Sequence, residues 1–422
     1  MVIVYAIAAW VGAALLCYLL LRKATYNILD PLLITHFFIP FIAAELVVLC
    51  LAGSVPWDKF PLFWVSLLAY LVGARLASGF FGRETLRQSM IDTLARIRRS
   101  EVFAVLLMTV CTTLVLAALA IQYGGAEGDA RQGFARVFRP LVVLQNGLFL
   151  LSLVLLLSRR LTGPQVAIWM VLLVGPSIAF SGKSVLIPVL YWFGLRLYLN
   201  RQAVTFRVGA GMFGLGFLGV GVMGVLAYRT TSIVALVYLF ALRLWASGET
   251  YIYAYQWNAM AGVRDAYHVS FIPYMLHPIT SLVGIRAYDK PLGAMLFSQV
   301  MPEDIVGGPN PIMPVLLDFF FPDNLAMSAL VALLIGLLVV GIRTLGIVFG
   351  RSRSRYVKLG GIAAAIFCPA MGFLDTSLVL IALLGVLAAT ALCVAIELLF
   401  PSRAAAIGLT AGASPESAAS HS

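Results

Sequence analysis

The sequence predicts an all-α polytopic membrane protein of about eleven transmembrane helices, and three observations carry that prediction. Of 422 residues, 62% are hydrophobic and only 11% charged, with a mean hydropathy of +0.99, far above the apolar share of soluble domains. Apolar runs of about 17 to 23 residues, the length that crosses a bilayer as a helix, recur along the chain. Lys and Arg gather in the short segments between those runs. A formal charge of +11 would point to nucleic acid in a soluble protein; here its placement is a topological signal, and no nucleic-acid partner is expected.

The expected spans are 2–21, 31–52, 60–80, 102–122, 139–158, 164–181, 184–199, 208–227, 325–342, 359–374 and 376–399. The first lacks a small-residue cleavage site followed by a polar start, so it reads as a retained span rather than a signal peptide. The second carries His36 and Glu45 and the third Arg75. Ionisable groups in lipid are costly and usually face a partner or a cavity, so Glu45 is expected to line a cavity and Arg75 to snorkel. Between the third and fourth spans, Leu86, Met90, Leu94 and Ile97 recur at near-helical spacing among arginines, as in a helix lying on an anionic leaflet. The sixth and seventh spans are short. Cys17, Cys50, Cys111, Cys368 and Cys393 all fall inside apolar runs without paired spacing, which suggests neither a disulfide framework nor a metal site. Residues 1–401 read as one transmembrane domain, and 402–422, rich in Ala, Ser and Gly, as a disordered cytoplasmic tail.

If the spans alternate, Arg22, Lys23, Arg83, Arg87, Arg96, Arg98, Arg99, Arg159, Arg160, Arg201, Arg207, Arg351, Arg353, Arg355 and Lys358 fall on one side. Retention of cations makes that side cytoplasmic. The N-terminus is then outside, the C-terminus inside, and the interval 229–324 is a large outward loop. Within it "SIVALVYLFALRLWAS" offers only about ten uninterrupted apolar residues before Arg243, too few to cross.

That loop breaks the charge rule. It holds Arg229, Arg243, Arg264, Arg286 and Lys290 beside His268 and His277, and cations kept on a translocated side fit a bound anion. Tyr251, Tyr253, Tyr255, Trp257, Tyr267, Tyr274 and Tyr288 fit either an interfacial belt or a platform for sugar rings. A phosphorylated, partly apolar, partly polar ligand would use all of these features, and a lipid-linked sugar is such a molecule. At the end of the loop, "IVGGPNPIMP" sets Gly307 and Gly308 beside Pro309, Pro311 and Pro314. Prolines fix φ and glycines permit tight turns, so a stiff loop is expected, either presenting the Asn310 amide to a sugar or serving as a linker with Asn310 in an Asx turn.

The stretches "RLWASGETYIYAY" and "GGPNPIMPVLLDFFF", with a central "SGKS" turn bearing Lys183 and one large late loop, resemble the Wzy-type O-antigen and oligosaccharide repeat-unit polymerases. The resemblance covers the plan of most of the chain, with specific motifs near 243–253 and 307–321. It implies a GT-C-like membrane glycosyltransferase architecture in the bacterial inner membrane and a role in lipopolysaccharide or exopolysaccharide biosynthesis. The reaction it implies is transfer of a growing glycan from undecaprenyl pyrophosphate to an incoming lipid-linked repeat unit on the periplasmic face. Lipid-linked oligosaccharides and membrane lipids are the implied partners, together with a chain-length regulator; no metal or other cofactor is expected.

Without a metal, leaving-group charge falls to fixed cations, and Arg suits phosphate through its bidentate fork. Arg243, Arg264 and Arg286 are expected around the pyrophosphate, with Lys183 at the central turn. Glu249 is the first choice for the base that receives the acceptor hydroxyl's proton and His277 the second; equally, Glu249 pairs with Arg243, and His277, before Pro278, sits in a turn. Two other functions share these features. A proton-coupled permease or lipid-linked-glycan flippase would use His36 and Glu45, although no internal repeat or matched pair of broken helices is visible. An O-antigen ligase is expected to carry a His with a Glu eight residues later, whereas His268 is followed at that distance by Leu276 and His277 by Ile285.

Overall fold

The structure, a computed structural model, describes residues 1–80, 82–123, 133–134, 137–181, 185–203, 205, 211, 214, 232, 234–235, 237, 248–288, 292–300, 311–350, 352–370 and 372–399. Among these residues every regular element is a helix. In chain order they are α1 (Val2–Leu21), α2 (Pro31–His36), α3 (Ile39–Leu51), α4 (Lys59–Ala77), α5 (Arg83–Arg96), α6 (Arg99–Gln122), α7 (Arg139–Leu155), α8 (Gly163–Ser181) and α9 (Leu186–Leu199). After the large loop begins come α10 (Ala259–Ala266), α11 (Phe271–Thr280), α12 (Leu292–Val300), α13 (Met313–Phe320), α14 (Leu325–Phe349), α15 (Arg355–Phe367) and α16 (Thr376–Leu399).

Among the described residues, six helical stretches are long and apolar enough to cross a membrane: α1, α2 with α3, α4, α6, α14 and α16. Three further expected spans, α7, α8 and α9, are shorter apolar helices. The expected span 208–227 lies almost wholly outside the described residues. The second span bends at Phe37 and Phe38, ahead of Pro40, which cannot donate a helical hydrogen bond. The tenth, expected at 359–374, is helical only to Phe367, since Pro369 follows.

Small residues let the long helices approach. α4 and α14 cross where a methyl group on Gly73 would overlap the Leu333 carbonyl and one on Gly336 the Tyr70 carbonyl. Close approach at small residues supplies the dispersion contacts that replace the hydrophobic effect in lipid. Around this pair, α1 packs on α3 and α4, α15 on α14 and α16, α7 on α16 and α6, and α8 on α6.

A buried ion pair ties the first loop to this centre. Arg343 and Asp30 are both fully buried and meet in a bidentate contact, Nη1 to Oδ2 at 2.9 Å and Nη2 to Oδ1 at 2.8 Å. Arg343 Nε also donates to Ala365 O at 2.9 Å and Nη1 to Ala24 O, while Asp30 accepts from the N–H groups of Tyr26 and Leu32. With both partners hydrogen-bonded in this way, the desolvation cost of burial is offset. The expected ninth span stops at 342; α14 instead continues to Phe349 and carries Arg343 into the interior.

The segments assigned to one side by charge meet at one end of the bundle. Arg83 donates to Arg22 O, Tyr198 Oη to Arg83 O, and Arg160 to Ala95 O at 3.4 Å; Arg201 pairs with Glu84 at 2.8 Å. Arg355 joins Glu101 and Glu397 at 2.6 and 2.8 Å. α5 differs from its expected placement: Leu86, Met90, Leu94 and Ile97 are buried, and the helix packs on α9, α14 and α15. An apolar stripe among arginines serves protein as well as lipid, and here it is covered by helices.

Candidate functional site

The other end of the bundle carries the described parts of the large loop. Its centre is Asp318, buried near the end of α13. Pro314 in the first turn suits the N-terminus of that helix, and Met313 N donates to Phe373 O at 3.1 Å, which fixes it beside the α15–α16 connection. Lys59, the first residue of α4, reaches Asp318 Oδ1 at 3.1 Å, and Tyr255 Oη donates to Oδ2 at 2.7 Å. Arg264, on α10, donates through Nη2 to the Asp318 carbonyl at 2.9 Å and stands 4.0 Å from its carboxylate. Its guanidinium lies 6.0 Å from the Phe319 ring centroid.

Tyr255 belongs to a π-helical turn, Ile252–Gln256, an uncommon geometry enriched at functional sites. The chain leaves this turn through Asn258 in the left-handed region, φ 52°, which Asn tolerates better than most residues. Burial first, then the Asp318 carboxylate, pushes the Tyr255 phenol well above its usual range, so it stays protonated and donates. The neighbouring Tyr251 phenol is raised well above its ordinary value by burial, then by Asp318, Cys50 and Glu45.

Glu45, at the middle of α3, is 1% exposed and accepts from Gly248 N at 2.8 Å through Oε2. A methyl group on Gly248 would come within 2.6 Å of that oxygen, so the absence of a side chain admits the contact. Glu249 follows directly at the start of the next helical turn. Two carboxylates thus share one corner. Glu45 Oε1, Tyr251 Oη, Tyr267 Oη and Arg264 Nε are buried polar atoms with no hydrogen-bond partner among the described residues; such atoms cost roughly 1–3 kcal/mol each unless a partner meets them.

A second cluster adjoins this one through Tyr267, whose ring lies 5.8 Å from Phe319, 6.0 Å from Tyr288 and 6.5 Å from Tyr274. His277 is stacked 3.8 Å from Tyr288, accepts from Ala287 N at 3.2 Å through Nδ1, and faces Arg139 Nη1 at 3.4 Å through Nε2. A neutral imidazole that accepts at Nδ1 carries its proton on Nε2, so the guanidinium and the imidazole N–H are convergent donors. Burial pushes the Tyr288 phenol up to about 12 against the pull of Arg139. Burial also raises the Asp375 carboxyl, opposed by the N–H and O–H that Ser377 donates to it. A cavity of about 40 Å³ lies between Tyr274, Tyr288, Pro311 and Asp375.

Of the sequence-derived site residues, Glu249, Arg264 and His277 fall in these clusters. Arg286 is exposed, two residues before Tyr288. Lys183, Arg243 and Asn310 lie outside the described residues, although Pro311, next to Asn310, lines the small cavity. Sequence reasoning passed over Asp318, Lys59, Arg139 and Asp375. Asp318 stood inside the quoted "GGPNPIMPVLLDFFF" stretch, and its position as the one carboxylate in that apolar run was the available signal. Lys59 and Arg139 each begin an apolar run and look like ordinary flanking cations. No protein-family profile, curated protein or solved structure matches the chain.

Proposed function

We propose that the chain polymerises lipid-linked oligosaccharide repeat units, transferring a glycan from undecaprenyl pyrophosphate to an incoming lipid-linked unit at the periplasmic face of a bacterial inner membrane. The observation that carries this reading is the meeting, at the end of the bundle away from the basic loops, of Lys59, Arg264 and Arg139 with Glu45, Glu249, Asp318 and a tyrosine wall. Cations there suit a pyrophosphate, aromatic faces suit sugar rings, and a paired carboxylate suits proton removal from an acceptor hydroxyl. The four buried polar atoms at this site without partners among the described residues suit a polar ligand.

In this reading Arg264 holds the pyrophosphate, with Arg139 added by geometry and Arg243, Arg286 and Lys183 carried from the sequence. Arg264 is suited because Asp318 and Phe319 hold its guanidinium while its Nε remains unengaged by the described residues. Glu249, which shares its corner with Glu45, takes the hydroxyl proton. His277 is better suited to donating beside Arg139 than to accepting a proton, since Nδ1 already accepts from Ala287. The cations act mainly on charge that develops as the glycosidic bond to phosphate breaks, so their loss should lower turnover more than binding.

The two residues named for the transport alternative are each engaged within the protein through one polar atom. His36 bonds Leu32 O through Nδ1 and stacks on Tyr70, while Glu45 turns to Gly248. Deletion of the gene in its source strain tests the proposal against both alternatives. Loss of the glycan ladder with one capped repeat unit remaining identifies a polymerase. Loss of all capping identifies a ligase, and accumulation of repeat units facing the cytoplasm identifies a flippase.

A further inference from the structure

A cavity lies away from this site, at the basic end of the bundle, where the α7–α8 turn meets α5 and the end of α9. It measures about 570 Å³, and its lining includes Arg87, Arg159, Arg160 and Arg196 with an apolar wall that includes Leu157 and Val166. No carboxylate lines it among the described residues. Arg87 is partly neutralised, since it pairs with Glu84 at 2.9 Å and donates to Leu199 O. Arg196 lies 5.5 Å from the Trp192 ring, and Arg160 makes a long contact to the Ala95 carbonyl. Arg159 and Arg160 are exposed consecutive cations at the rim.

We propose that this crevice binds one anionic phospholipid, with its phosphate among Arg159, Arg160 and Arg196 and an acyl chain along Leu157 and Val166. Three features select that occupant. An excess of cations without a lining acid attracts an anion, and an apolar wall beside them suits an amphiphile rather than a free ion. The cations also sit at a helix-bundle end, at the level where headgroups lie, and basic pockets between helices on the cytoplasmic side are suited to anionic headgroups. The attraction to anionic lipid expected of the whole α5 segment is thereby narrowed to a defined pocket, to which α5 contributes Arg87 while its apolar face is buried in protein. The site is independent of the polymerase reading.

Native mass spectrometry of the full chain in neutral detergent, titrated with phosphatidylglycerol, phosphatidylcholine or inorganic phosphate, tests the proposal. Wild-type protein should retain one phosphatidylglycerol in preference to phosphatidylcholine, with affinity falling as salt is raised. Arg159→Gln/Arg196→Gln should weaken it by about tenfold or more, given the attraction each basic residue contributes near an anionic headgroup, while keeping the lipid-free thermal midpoint. Equal retention of the two lipids, undiminished affinity in the folded double variant, or displacement by millimolar inorganic phosphate would each overturn it. If the double variant does not fold, the salt series on wild type decides: retention indifferent to salt contradicts a site built on arginines.

Discussion

Arg264 is the residue at which the sequence expectation and the geometry meet most closely. Its guanidinium donates through Nη2 to the Asp318 carbonyl and lies beside the Phe319 ring, and its Nε has no partner among the described residues. Lys keeps the charge but loses the planar fork, so Arg264→Lys at matched membrane levels should cut polymer formation by about a hundredfold if the fork holds the leaving group, the scale seen when one transition-state donor is removed. Arg243→Lys should behave likewise. A ladder of wild-type intensity from Arg264→Lys would remove it from the clamp. The residues that sequence reading missed have a common cause. Asp318 is recognised by Lys59, 259 positions away, and by Tyr255, 63 positions away, and no local pattern announces partners at such distances. Glu249 and Arg264 were legible because charge is conspicuous in a loop expected to be translocated, while Arg139 and Lys59 were hidden by the ordinary habit of cations flanking spans.

At the level of elements, composition located most helices because length and apolarity alone decide what can cross lipid. Boundaries followed from finer causes. The second span bends ahead of Pro40, α15 stops short of Pro369, and α14 runs past its expected end because two contacts to the Asp30 carboxylate and two to backbone carbonyls satisfy Arg343 inside the protein. α5 was placed on the leaflet because periodicity reports an apolar face without saying what covers it. The α4–α14 crossing makes a sharper demand. Gly336→Val would drive a branched side chain into the Tyr70 carbonyl, and overpacking of this kind typically costs about 1–3 kcal/mol. Gly341, five residues on in the same helix, has open space around its Cα. A thermal-unfolding comparison in detergent should therefore show a lowered midpoint for Gly336→Val and little change for Gly341→Ala; equal midpoints would mean that the helices do not depend on that contact.

At the scale of the molecule, charge divides the bundle into two ends with different chemistry. One gathers the arginine-rich turns, closed by Glu84, Glu101 and Glu397 and holding the proposed lipid pocket. The other gathers buried acids, cations and tyrosines from α3, α4, α7, α10, α11 and α13. The proposed function takes the first end as internal, by retention of cations in the cytoplasm, and the second as periplasmic, where a lipid-linked glycan is exposed for polymerisation. The central claim is that this second end joins repeat units. It is tested most directly by supplying the purified, liposome-reconstituted chain with undecaprenyl-pyrophosphate-linked repeat units and resolving the products by size. The account predicts lipid-linked glycans lengthened by whole repeat units, with undecaprenyl pyrophosphate released for each unit joined and little product from Glu249→Gln. Repeat units that cross the bilayer or remain unchanged, with no lengthened product from a correctly folded wild-type chain, would contradict it.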